Sequence, residues 1–254
     1  MLGLAWVVFV AGLIVGSFLN VCIYRLPRRE SVNWPGSHCT ACNRPLSWFE
    51  NVPVASWLAL RGRCRTCGAS ISAMYPVVEA LTGSVFLAGF LLYGLTPLFV
   101  VRVAFACAMV VLFVIDLRHR ILPNIITVPG IVIGFAASLW LAPGWVSSLL
   151  GLLIGGGVLF LIGETYYRLR GVEGMGMGDV KMLAMIGAFL GWPLTILTLI
   201  IASFAGSLFG GAMIVTGRGG MQAALPFGTF LAVGALIAAV AGDPILTWYL
   251  GFYR

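Results

Sequence analysis

Two aspartates and four cysteines are the residues of this chain whose type and placing could carry chemistry. Asp179 follows three alternating glycines in Gly174-Met175-Gly176-Met177-Gly178-Asp179-Val180-Lys181, immediately before a long apolar run. The missing Cβ atoms let that backbone take conformations other residues resist, and let another chain lie close against it. Asp116 closes the apolar run Val110-Val111-Leu112-Phe113-Val114-Ile115 and precedes Leu117-Arg118-His119-Arg120-Ile121-Leu122-Pro123-Asn124. Acids at the edge of apolar segments are functional by default, as proton relays or as catalytic groups. Each also has a structural alternative. Asp179 can be an N-cap that accepts the first free N–H groups of a helix. Asp116, at a helix C-terminus, opposes the dipole and cannot be a cap; its alternative is an ion pair with Arg118 or Arg120.

The cysteines form two pairs, Cys39-x-x-Cys42 and Cys64-x-x-Cys67, with 21 residues between the pairs and Gly68 after the second to allow a tight turn. Four thiolates suit a tetrahedral ion such as zinc, although the separation lies just beyond the usual range. A rubredoxin-like iron site uses the same ligands, and two disulfides are the non-metal alternative. Cys22 and Cys107 lie within apolar runs and are expected to be packing residues.

The elements that must position these groups are set by composition. With 61% apolar and 9% charged residues in 254, and a mean hydropathy of +1.05, the chain is an all-α integral membrane protein rather than a soluble domain. Apolar runs near 2–23, 76–93, 97–116, 125–141, 146–166, 180–190, 194–216 and 226–250 predict about eight transmembrane helices. The run 180–190 is short for a straight crossing. A polar insert, residues 24–75, follows the first helix, giving three parts: a first helix (1–23), a four-Cys zinc-binding insert (24–75) and a multi-span domain (76–254). The first run lacks a basic segment before it and resembles an uncleaved span.

Arginines set the topology. Seven lie in the insert, and the remainder of the basic loop residues, Arg118 and Arg120, then Arg168, Arg170 and Lys181, then Arg218, fall in every second loop; only Arg102 and Arg254 depart from the pattern. By the positive-inside rule these loops and the insert are cytoplasmic and both termini lie outside. Asp116 and Asp179 then share the cytoplasmic face. The net charge of +7 reports this topology, and no nucleic acid is expected. In a reducing compartment the four cysteines favour metal over disulfides, and in so polar an insert the metal supplies the fold. Glu164 has Arg168 at i+4, a sufficient structural partner. His119 between two arginines reads as a solvated head-group contact.

Gly176-Met177-Gly178-Asp179 with Lys181 resembles the GxGD motif of intramembrane aspartic proteases. Combined with Gly16-Ser17-Phe18-Leu19-Asn20-Val21, the two CxxC pairs, Tyr75-Pro76-Val77-Val78-Glu79, the segment from Asp116 to Leu122-Pro123, and Leu225-Pro226-Phe227-Gly228 followed by Phe230-Leu231-Ala232, the chain is similar to type IV prepilin peptidases over nearly its whole length. Asn124 stands where many members carry an acid. The resemblance implies a bacterial inner-membrane enzyme with Asp116 and Asp179 as catalytic pair, supported by Gly176, Gly178 and Lys181. Its substrates would be prepilins or secretion-system pseudopilins, cut just before their apolar helix. It also implies N-methylation of the new N-terminus with S-adenosylmethionine as methyl donor. Glu79 is the candidate for that step, as a group that could hold the amine; anchoring the insert to Arg61, Arg63 or Arg65 is its alternative role. Two rival classes are a proton-coupled transporter, whose acids belong nearer the midplane, and a membrane-tethered metal- or nucleic-acid-binding module, which leaves the aspartates without a purpose.

Overall fold

The structure, a computed structural model, describes residues 2–172, 176–217 and 225–252. Gly174 and Met175 of the glycine segment, and Arg218 and Arg254 of the charge pattern, lie outside the described residues. The described chain is helical: α1 (Leu2–Arg25), α2 (Ala55–Ala59), α3 (Met74–Tyr93), α4 (Pro97–His119), α5 (Asn124–Ser138), α6 (Trp145–Arg170), α7 (Met177–Leu190), α8 (Trp192–Val215) and α9 (Phe227–Gly251). It divides into two compact units, residues 1–111 and 112–254, with α4 running through the division.

In the first unit α1 and α3 pack antiparallel along small residues. A Cβ on Gly12 would meet the Gly83 Cα at 2.8 Å, and one on Gly16 would meet the Glu79 Cα at 2.7 Å. One turn further, the Asn20 side-chain amide donates to the Tyr75 carbonyl at 3.0 Å. Contacts at 12, 16 and 20 therefore put the helix backbones in touch, the geometry membrane helices use where lipid gives apolar side chains no advantage in associating. Between these helices the insert is nearly coreless. Among its described residues Cys64 is the only buried apolar side chain.

In the second unit α7 is the central element. Every residue from Met182 to Leu190 is buried, as expected for a helix apolar all round, and α5, α6, α8 and α9 all pack against it. It begins after Gly176, whose backbone is extended, and ends at Gly191, whose φ of +79° turns the chain directly into α8. Against α6 the approach is at backbone contact. A Cβ on Gly187 would overlap the Gly151 carbonyl, one on Gly155 would lie 2.6 Å from the Leu183 oxygen, and the Ser148 hydroxyl donates to the Ala188 carbonyl at 2.7 Å.

Six described helices (α1, α3, α4, α6, α8 and α9) are long and apolar enough to cross a membrane. The expected eight segments all form helices, but α5 has 15 residues and α7 has 14, so the count of eight full crossings does not follow. At 1.5 Å per residue these two reach about 21–23 Å, less than the roughly 30 Å hydrocarbon layer.

Adding a methyl group at Gly187 should separate α6 from α7. Gly187→Ala is expected to cost about 1–3 kcal/mol, whereas Gly157→Ala on the same α6, where a Cβ meets nothing within 4 Å, should be near neutral. Thermal unfolding of the detergent-solubilised variants checks this, and equal stability of the two would contradict the packing.

Candidate active site and metal centre

Asp116 sits in the last turn of α4, 4% exposed. Its Oδ2 accepts two hydrogen bonds from one residue, the Thr229 backbone N–H at 2.7 Å and the Thr229 hydroxyl at 3.0 Å. Thr229 is the third residue of α9, in the first turn, and its N–H is shared between Asp116 and the Pro226 carbonyl at 3.2 Å. The negative end of α4 is thus answered by the positive end of α9. Among the described residues no ion pair joins Asp116 to Arg118 or Arg120, which corrects the expected structural alternative; Arg120 acts on it only through its charge.

Gly228 is what allows the approach. A Cβ there would stand 3.1 Å from Asp116 Oδ2 and 2.9 Å from Leu122 Cδ1. Leu122 reaches across to α7 as well, since a Cβ on Gly178 would lie 3.0 Å from the Leu122 Cβ. One leucine side chain therefore fills the gap between the helix starts that carry Thr229 and Asp179, and a glycine on each side admits it.

Asp179 is the third residue of α7, not its N-cap. Gly176 is the cap, and its carbonyl accepts the Asp179 N–H at 3.1 Å. The Asp179 side chain is half-buried, and Asp116 is the charged group that acts on it. Lys181, two residues further along α7, donates to Asn124 Oδ1 at 3.0 Å, tying the start of α7 to the start of α5. Asn124, assigned no role from sequence, is thus the partner of Lys181. Glu164 pairs with Arg168 at 2.7 Å, as the i+4 spacing predicts.

Thr229 is the functional residue that sequence reasoning missed. Its signal was Pro226 at a helix start followed by Gly228, a punctuation that marks a close backbone approach but does not say to what.

In the insert the sulfurs of Cys39, Cys42, Cys64 and Cys67 all lie within 4.8 Å of one another, and all four are free thiols. Each pair is carried on the same turn. Asn43 N–H donates to the Cys39 carbonyl and Gly68 N–H to the Cys64 carbonyl, at 2.8 and 2.9 Å, while Cys39 and Cys64 N–H donate to Arg44 and Ala69. The residue after each second cysteine is left-handed, Asn43 at φ 55° and Gly68 at φ 70°. Asparagine tolerates that conformation nearly as glycine does. Tetrahedral thiolate coordination at about 2.3 Å puts sulfurs about 3.8 Å apart, and Cys39 and Cys67 are 3.8 Å apart, so the donor set fits a tetrahedral ion. The backbone N–H groups of Cys67 and Thr66 hold the Cys64 thiol down to about 6, favouring the thiolate that a metal requires.

The rest of the insert is held by few interactions. Glu50, in a capping box with Ser47, receives Arg44 at 2.6 Å, and the guanidinium keeps its carboxyl below the usual range. Glu79 is buried and accepts the Val54 N–H at 2.7 Å, with Ser17 beside it. Its anchoring partner is a backbone amide and not Arg61, Arg63 or Arg65. Val54 has φ 60°, a strained conformation for a β-branched residue that this bond helps to hold. Cys107 is buried and Cys22 half-buried, both as packing residues.

A polytopic helical membrane protein with two aspartates at one end of its second unit, near enough to act on each other by charge, and a four-Cys cluster in its first is the class these features define. The family model for the bacterial peptidase A24 N-terminal domain matches residues 10–93, and that for the type IV leader peptidase family matches residues 103–211. The chain is 36% identical to a prepilin leader peptidase/N-methyltransferase of Aeromonas salmonicida, over 98% of this chain and 96% of the relative. It is 42% identical to one of Myxococcus xanthus, over 84% of this chain and 64% of the relative, and 36% identical to one of Burkholderia pseudomallei, over 92% and 84%. Comparison with solved structures yields no match. The chain belongs to the type IV leader peptidase family.

The purified protein is expected to carry about one metal ion per four-Cys site, lost in Cys39→Ser and Cys64→Ser. Elemental analysis with thiol counting decides it; two disulfides and no metal would contradict the site.

Proposed function

We propose that this protein cleaves the leader peptide from type IV prepilins or secretion-system pseudopilins at the cytoplasmic face of the inner membrane, and N-methylates the N-terminus it creates. Similarity over nearly the whole chain to relatives named for both activities supports the reaction. The observation that supports the assignment of residues is that Leu122 packs at both Gly178, next to Asp179, and Gly228, next to Thr229, with Asp116 acting on Asp179 through its charge.

Two neighbouring carboxyls supply what peptide hydrolysis needs. Both cannot ionise easily side by side, so one stays charged and the other keeps a proton. The charged one takes a proton from water as the water oxygen bonds to the scissile carbonyl carbon. The neutral one gives its hydrogen to the carbonyl oxygen. The C–N bond then breaks as the leaving nitrogen is protonated, and the pair returns to a single shared proton. Gly176 and Gly178 leave the backbone beside Asp179 uncrowded, where an extended substrate strand can lie. With the basic loops inside and both termini outside, a basic leader remains in the cytoplasm while the following apolar helix stays in lipid.

The functional parts remain a first helix, the insert 24–75 and the peptidase domain 76–254. Zinc is the ion we assign to the insert, as a structural ligand of a segment without a core. S-adenosylmethionine supplies the methyl group when bound. The bond Glu79 makes with Val54 supports a seating role, in which it fixes the insert on α3 and so shapes the surface where an N-terminal amine is presented.

Asp116→Asn and Asp179→Asn are each expected to lower leader cleavage by at least about a thousandfold while the protein inserts and keeps its metal; Glu164→Gln, an exposed pair, should change little. A folded aspartate variant that cleaves at near wild-type rate refutes the pair. Methyl transfer has no use for these carboxyls, so Asp179→Asn protein given pre-cleaved pilin and labelled S-adenosylmethionine should still methylate it.

A further inference from the structure

Which of the two aspartates is the base is decided by their hydrogen-bond partners. Asp116 Oδ2 receives two donors from Thr229, both within 3.0 Å. Among the described residues, the backbone donor that acts on Asp179 is the Gly176 amide. Helix dipoles do not single out Asp116, whose carboxyl lies at the first turn of α9 but also in the last turn of α4, where the two fields oppose, whereas Asp179 lies at the first turn of α7. Donors do, since an ionised carboxylate only accepts and its hydrogen bonds strengthen with its charge.

The other charged groups point the same way. From the segment after α4, Arg120 acts on Asp116. From α7, Asp179 faces it, while Lys181 is engaged with Asn124. Arg118 and His119 in the last turn of α4 are exposed, and the first turn of α9 carries no charged side chain.

We propose that Thr229 is a positioning residue that holds Asp116 as the ionised general base, leaving Asp179 to carry the proton of the pair. This rests on the two aspartates being the catalytic pair. With Oδ2 occupied by Thr229, Oδ1 of Asp116 is the oxygen that takes the proton from the attacking water. Asp179 donates its own proton to the oxygen of the scissile carbonyl; as the C–N bond breaks the proton on Asp116 passes to the leaving nitrogen, and a hydroxyl of the collapsing gem-diol returns a proton to Asp179. Thr229 touches neither water nor peptide in this scheme. It acts by fixing one carboxylate oxygen, and it would act less well as a backbone amide alone.

The test is the pH dependence of kcat/KM for leader cleavage by the full-length enzyme in detergent. Thr229→Ser keeps both donors and should match the parent within about threefold. Thr229→Val keeps the amide and the shape but loses the hydroxyl, so the ionised base is less favoured. The acid limb of its kcat/KM profile is expected to move up by about one pH unit, so that activity falls about tenfold on the acid side and progressively less above the limb. Thr229→Ala carries the same expectation should the valine variant not fold. An unmoved acid limb, or equal loss at every pH, overturns the role of Thr229, as does a serine variant no better than valine. Activity retained in Asp116→Asn instead overturns the catalytic pair itself, so the two failures are distinguishable.

Discussion

A carboxyl group at the C-terminus of its own helix is repelled by that helix, and much of the second unit can be understood as the means of keeping one there. The N-terminus of α9 supplies the opposing field and two donors to Asp116, worth more in a poorly solvated setting than in water. For α9 to come so near, Gly228 must lack a side chain, and for α7 to join them Gly178 must lack one too. Leu122 then sets the spacing. The acid, the two glycines, the leucine and the threonine form one unit of function even though they are drawn from residues 116 to 229.

The first unit solves a different problem. A segment of some fifty residues with one buried apolar side chain cannot fold on hydrophobic burial. Two like turns that present four sulfurs stand where a core is missing, and the insert is further attached by Glu79, which accepts from Val54, and by Arg25, which donates to the carbonyls of Ser31, Pro35 and Gly36. Glu79 lies where α1 and α3 are in backbone contact through Gly16, so the anchor stands on the most rigid part of the unit.

Much of this was legible in the sequence. The alternation of arginines between loops put both aspartates on one face without any structural information, and the cysteine spacing gave the tetrathiolate, because charge and ligand spacing are local signals. The Glu164 and Arg168 pair was legible for the same reason. Thr229 was not, since it acts 113 residues from its partner and a threonine in an apolar run has no pattern of its own. Asn43 was hidden because only its equivalence to Gly68 in three dimensions reveals a second left-handed turn. Asp179 reads as a cap from its position after glycines, but the helix starts earlier, at Met177, because Gly176 can cap it through the backbone. The shortness of α5 and α7 was partly visible as a weak apolar run, and its meaning depends on the neighbours that surround them.

That surrounding has a further effect on α7. From Met182 to Leu190 it is buried on all sides, so its length answers to other helices and not to lipid. Membranes differ in thickness by several ångströms, and a lipid-facing helix responds by tilting or by deforming the bilayer around it. A helix that touches no lipid has no mismatch to relieve. The depth of α7 is set instead by its own neighbours: Gly187 against Gly151, Gly178 against Leu122, and Lys181 bonded to Asn124. The start of α7, and with it Asp179, is in this sense mechanically insulated from the membrane that holds it, and should keep its geometry across bilayers of different lipid composition.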